Sequence, residues 1–148
     1  MTTYLADKAW GKEQEKLMYR YLKRYFGKLL KHNDDDFAAW DFEDAVTAIE
    51  MKSRKFLSFE FNDVMIKTLK IDRCAAESRD CFLVFKFTDR LCYIEYNKEQ
   101  FAQYRKQLMT IKSREDKEEK PEWRTFIPLH HLKTLETFPV PCLILDDN

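Results

Sequence analysis

Trp40-Asp41-Phe42-Glu43-Asp44-Ala45-Val46-Thr47-Ala48-Ile49-Glu50-Met51-Lys52-Ser53 is the stretch that decides how this 148-residue chain is read. Residues 45–53 read as a strand, with Ile49 and Met51 on one face and Ala48, Glu50 and Lys52 on the other, because successive strand side chains point to opposite sides. Glu50 and Lys52 therefore point the same way. Upstream, residues 33–36 form a polar turn, residues 37–42 a short strand, and Glu43 and Asp44 turn the chain. The eight residues between Asp41 and Glu50 suffice for a tight hairpin, which places the two carboxylates on adjacent strands. Gathering three charges at a strand end is costly unless a metal or a partner compensates. The tripeptide Glu-x-Lys carries little by itself: Glu118-Glu119-Lys120 is a second copy, in a polar run without strand pattern.

Outward from this stretch, residues 12–26 place Leu17, Met18, Tyr21, Leu22 and Tyr25 on one helical face, and Gly27 supplies the stop. Residues 62–77 return to helical spacing through Val64, Ile66, Leu69, Ile71 and Ala75, with Asn62 as N-cap. Strands follow at 81–87 and 91–96 around a Thr88-Asp89-Arg90 turn. A helix is expected over 101–111. The mixed-charge run 112–122 reads as a solvated helix end or a mobile loop that Pro121 ends. Residues 123–128 then read as a strand, 130–135 as a short helix and 139–145 as a last extended segment. The expected class is α/β, in a single domain spanning 1–148 whose core covers about 11–96 and whose C-terminal helical and strand extension covers 97–148.

A content of 45% hydrophobic and 15% aromatic residues is enough to bury a core. No apolar run approaches the roughly 18–20 residues of a membrane span, and the N-terminus lacks a basic-then-apolar leader. A soluble, intracellular protein of the cytoplasm or nucleus, with no membrane partner, is the expectation. Cys74, Cys81, Cys92 and Cys142 show no CxxC pair and no histidine at zinc spacing, so reduced structural thiols are expected. With Gly11 and Gly27 as the only glycines, a glycine-rich phosphate loop is excluded, which argues against ATP-driven or dinucleotide-dependent chemistry. Net charge is zero, but its distribution is uneven: residues 32–51 hold seven acidic side chains and no Lys or Arg, between two segments of net positive charge. A cation site flanked by phosphate-binding surfaces would have this layout.

Metal-assisted phosphodiester hydrolysis needs carboxylates to hold Mg²⁺ and a cation or base near the attacking water. Asp41, Glu50 and Lys52 supply that set, and on these residues the chain resembles the PD-(D/E)xK superfamily of nucleases, which includes restriction endonucleases, Holliday-junction resolvases and viral and phage nucleases. The element order resembles that family's αβββαβ core from about Gly11 to Tyr96, and Gly11-Lys12-Glu13-Gln14-Glu15 resembles the opening of the first helix in resolvase-like members. The family's proline is absent, since Trp40 precedes Asp41. The resemblance implies a restriction-endonuclease-like fold, with a central mixed β-sheet of four or five strands flanked by helices. It also implies a Mg²⁺- or Mn²⁺-dependent nuclease acting on DNA rather than RNA, most simply an endonuclease of recombination, repair or viral DNA processing. It makes Asp41, Glu50 and the Met51 carbonyl metal ligands, Lys52 the group that orients or activates water, and Glu15 a further acidic residue, with Glu13 as the alternative. A catalytically inactive nucleic-acid- or protein-binding module of the same fold, or an RNA endonuclease, are the rival readings. A homodimer is left open.

Arg54 and Lys55 next to the motif, Lys67, Lys70 and Arg73 further on, and Lys16, Arg20 and Lys23 on the first helix are candidates for gripping the nucleic-acid backbone, where cations position without reading sequence. His130 and His131 fit packing or surface roles better than catalysis, and His32 lies near the acidic segment. Asp34-Asp35-Asp36 lacks the glycine and ligand spacing of a calcium loop and reads as a solvated turn.

Overall fold

The computed structural model describes residues 4–110 and 120–140. Helix α1 (Tyr4–Phe26) leads into two short strands, β1 (Lys31–His32) and β2 (Phe42–Glu43), and then the long β3 (Thr47–Ser53). Strand β4 (Asp63–Lys67) runs directly into α2 (Thr68–Ala76), which is followed by the hairpin β5 (Asp80–Lys86) and β6 (Arg90–Glu95). A short α3 (Lys98–Ala102), β7 (Arg105–Thr110), β8 (Pro121–Pro128), a 3-10 turn (Leu129–His131) and β9 (Lys133–Thr137) complete the described chain.

The class is mixed α/β, built on a six-stranded sheet in the order β1-β2-β3-β5-β6-β9, with a separate three-stranded sheet β4-β8-β7. Among the described residues only β3 and β5 pair in parallel, from Thr47↔Asp80 to Ser53↔Lys86. The connection between them passes through β4 and α2, the kind of crossover a parallel pair requires. Alternation along the central strands fills two cores. On one face Ile49 and Met51 of β3, Val84 of β5 and Leu91 and Tyr93 of β6 pack with Phe42 against Met18 and Leu22 of α1. On the other, Ala48, Leu83, Phe85 and Ile94 meet Val64, Ile66, Ile71 and Ile127 from β4, α2 and β8. Among the described residues no helix is long and apolar enough to cross a membrane.

The sheet is larger than the four or five strands expected because β1 and β9 add to its edges, and segments read as helix supply β4 and β7 of the second sheet. Residues 62–77 are not one helix: Asp63–Lys67 buries Val64 and Ile66 at period two and pairs with β8, and helix begins only at Thr68. Leu69, placed on the buried helical face by the spacing, is 64% exposed. In 101–111 the helix stops at Ala102 and Arg105–Thr110 is β7, held by pairing with β8. The short helix expected over 130–135 is a 3-10 turn followed by β9, which joins β6. The strand expected over 37–42 shrinks to Phe42–Glu43. Of the run 112–122, residues 112–119 lie outside the described residues, and Pro121 and Glu122 open β8 rather than ending a loop.

The expectation of four reduced thiols is corrected as well. Cys74, near the end of α2, and Cys81, at the start of β5, form a disulfide with Cα atoms 5.7 Å apart. The turn from Glu77 to Asp80 folds α2 back onto β5, so two cysteines without motif spacing meet inside one core, at a separation bridges commonly span. Cys92 is a buried free thiol, and Cys142 lies outside the described residues, as does most of 139–145.

Candidate metal centre

Asp41 stands one residue before β2 and is tied to β3 at two levels. Its N–H donates to the Ile49 carbonyl at 3.0 Å, and its Oδ2 accepts the Met51 N–H at 2.8 Å. The N–H and C=O of one strand residue leave on the same side. The Met51 carbonyl therefore faces the edge that β2 has vacated, beside Asp41. The loop that delivers Asp41 is fastened from α2 and the turn after it. The buried Trp40 indole donates to Glu77 Oε2 at 3.1 Å, the Asn33 side-chain amide donates to the Trp40 carbonyl at 2.9 Å, and Arg73 donates to the Ala39 carbonyl at 2.8 Å. Arg79 clamps both Glu77, at 2.9 Å, and Glu43, at 2.8 Å, and this double ion pair holds the Glu77 carboxyl down at a pKa of about 2.

Glu50 is 4% exposed. Its Oε2 meets Lys52 at 3.0 Å, on the same strand face, and Lys70 of α2 at 3.4 Å. Glu15, on α1 against the opposite face of the sheet, is buried at 8% exposure, whereas Glu13 is exposed. Glu15 Oε1 bonds His32 Nε2 at 2.9 Å and has Lys12 at 3.6 Å, while His32 stacks on Phe42.

Asp41 has its pKa pushed up to about 7, first by burial, then by the charges of Glu50 and of Glu15, with the Met51 N–H and Lys52 offsetting only part. Lys52 and Lys70 are both engaged by Glu50, so the buried Asp41 carboxylate has no ion-pair partner of its own among the described residues, and a cation beside it would favour its charged form. The donors of the site are hard oxygens, the kind Mg²⁺ and Mn²⁺ select. Among the described residues no protein donor reaches Asp41 Oδ1 or Glu50 Oε1, which leaves each carboxylate one oxygen for a ligand. Also among the described residues, no three His, Cys, Asp or Glu side chains converge to hold a metal unaided. A cation here would take Asp41, Glu50 and the Met51 carbonyl with water completing the shell, a ligand balance that suits Mg²⁺.

The residues expected to contact nucleic acid are scattered in role. Lys70 is turned onto Glu50, and Arg54 donates to the Met65 carbonyl at 2.8 Å and the Ser53 carbonyl at 3.3 Å. Lys55 is exposed over the Trp10 ring, 3.7 Å from Asp7, and Lys67 pairs at 3.5 Å with Glu122. Lys16 and Arg20 are exposed on α1, with Arg20 stacked over Tyr21, and Lys23 lies over Tyr19. His131 bonds Tyr104 at 2.7 Å and His130 is exposed, away from the centre. The contact of His32 with Glu15 had one signal in the sequence, the position of His32 at the start of the acidic segment. Comparison of the chain with protein-family models, with curated proteins and with solved structures finds no match.

Proposed function

We propose that this chain is a Mg²⁺- or Mn²⁺-dependent nuclease with a restriction-endonuclease-like core, hydrolysing phosphodiester bonds of DNA as an intracellular endonuclease of recombination, repair or viral DNA processing. The observation that carries the proposal is the placement of Asp41, whose Oδ2 accepts the Met51 N–H at the β3 edge, one residue from the buried Glu50, with Lys52 on the same strand face at 3.0 Å from Glu50. Further support comes from the element order α1, β1, β2, β3, β4, α2, β5, which sets a helix before and after the strands that carry the centre, and from the buried Glu15, whose charge acts on Asp41.

Asp41, Glu50 and the Met51 carbonyl would hold the ion, which when bound supplies Lewis-acid polarisation of the phosphoryl oxygen and a water acidic enough to attack at neutral pH. Asp41 has to shed its proton to serve as a ligand. Lys52 then has two tasks on one face of β3: its ammonium neutralises Glu50 before the substrate arrives, and it can turn toward the attacking water or the phosphoryl oxygens as negative charge develops there. Glu15, oriented by His32, would add negative charge near Asp41 that favours a bound cation. The test is cleavage of labelled DNA and RNA by the full chain in Mg²⁺ and Mn²⁺, alongside Lys52→Ala and Asp41→Ala. Cutting that depends on the metal and is lost in both variants is expected. Cutting that survives both substitutions and excess EDTA would show that this centre is not responsible.

A further inference from the structure

The three-stranded sheet carries a row of polar side chains that the proposed chemistry does not use. Val64, Ile66, Thr125 and Ile127 turn into the core, so the alternate positions of β4 and β8 face away from it. Cross-strand partners share a face. The pairings Lys67↔Arg124 and Gln107↔Arg124 therefore set Lys67, Arg124 and Gln107 in one row. Arg54 comes in from the end of β3, two residues past Lys52, and bonds to the β4 backbone at Met65. Three residues beyond Lys67, in the first turn of α2, Lys70 pairs with Glu50 at 3.4 Å.

Charge in this row is poorly balanced. Among the described residues Arg54 bonds only to carbonyl oxygens. Arg124 and Lys67 share one carboxylate, Glu122, at 3.6 and 3.5 Å. Arg124 is only 13% exposed, and its Nε is buried with no hydrogen-bond partner among the described residues. Burial and the nearby Arg124 charge both lower the pKa of Arg54. Holding two guanidiniums together with an orphaned N–H costs stability, and such a group calls for an explanation. The planar fork of a guanidinium matches phosphate oxygens.

We propose that Arg124, with Arg54 and Lys67, forms a seat for a backbone phosphate of the substrate strand, adjacent to the phosphodiester cut at Asp41 and Glu50. The proposal rests on the nuclease reading. Arg124 is then a positioning residue that acts on substrate affinity and not on the chemical step.

The test is equilibrium binding of a labelled DNA duplex to the full chain in EDTA over a range of salt, with cleavage kinetics in Mn²⁺. Arg124→Met should bind about tenfold or more weakly and lower the salt slope by about 1, while kcat stays near wild type and Tm does not fall. Arg124→Lys should keep the slope and lose part of the affinity. Should Arg124→Met fail to fold, Gln107→Glu, on the exposed face of β7, sets a carboxylate beside Arg124 and should weaken binding in the same way. Wild-type affinity and slope in folded Arg124→Met, or in Gln107→Glu, would overturn the seat while leaving the nuclease reading intact. A wild-type chain that neither binds nor cuts nucleic acid would overturn both.

Discussion

Replacing Asp41 by Asn should make the metal-free protein more stable at neutral and alkaline pH. The Asp41 carboxyl is held near 7, against an ordinary value of 3.8, by burial and by the charges of Glu50 and Glu15. Because the folded state binds this proton more tightly than the unfolded chain, stability is unaffected below about pH 4, falls as pH rises, and has lost its full amount above about pH 7. At about 1.36 kcal/mol per pH unit the loss is at most about 4 kcal/mol, and water reaching the partly open carboxylate brings it nearer 2. Asparagine keeps the acceptor for the Met51 N–H and carries no charge, so it escapes the penalty. At about 2–4 °C per kcal/mol, the Tm of Asp41→Asn in EDTA should exceed wild type by roughly 5–10 °C at pH 8 and match it near pH 4. Added Mn²⁺ should reverse the order, since the wild type gains binding energy and the variant does not. The assay is thermal unfolding at several pH values with and without Mn²⁺. A Tm difference that stays flat from pH 4 to pH 8 would refute the electrostatic reasoning.

Arg79→Met should destabilise the fold by about 1–3 kcal/mol by leaving Glu77 and Glu43 facing each other unpaired, and should cut kcat about 10- to 100-fold with little change in KM, because Trp40 and hence Asp41 lose their support. With Glu77 held near 2, the Arg79 contribution is complete above about pH 4.5 and fades as pH drops toward 2, so the two unfolding curves should converge in acid; parallel curves would argue against the clamp. Lys70→Met should lower the metal-free Tm, since the buried Glu50 keeps only Lys52, and should enlarge the Tm gain on adding Mn²⁺, since one ammonium fewer competes for the same oxygens. An equal gain in both proteins would place Lys70 outside the centre.

The parts of this account that were legible in the sequence are those set by local geometry. Period two over Ala48-Ile49-Glu50-Met51-Lys52 fixes which side chains share a face, and that face is the one observed, with Ile49 and Met51 against α1 and Glu50 against Lys70. Asp41 beside β3 followed from the length of the hairpin. What stayed hidden depends on partners distant in sequence. Val64 and Ile66 fit a strand as well as a helix until β8 is placed, with Val64 opposite Ile127 and Ile66 opposite Thr125. Lys70 reaches Glu50 only because strand gives way to helix at Thr68, a boundary that the spacing of Ile66, Leu69 and Ile71 concealed. Arg124 carried no local signal at all. Its setting is made by β4, β7 and the end of β3 together.

The central claim, that Asp41 and Glu50 form a metal centre, is tested most directly by a crystal grown or soaked in Mn²⁺ and measured for anomalous scattering. One peak bounded by the Asp41 and Glu50 carboxylates and the Met51 carbonyl is predicted, with Lys52 or Lys70 drawn away from Glu50. A map with no peak there, and with Glu50 still paired to both lysines, would contradict it.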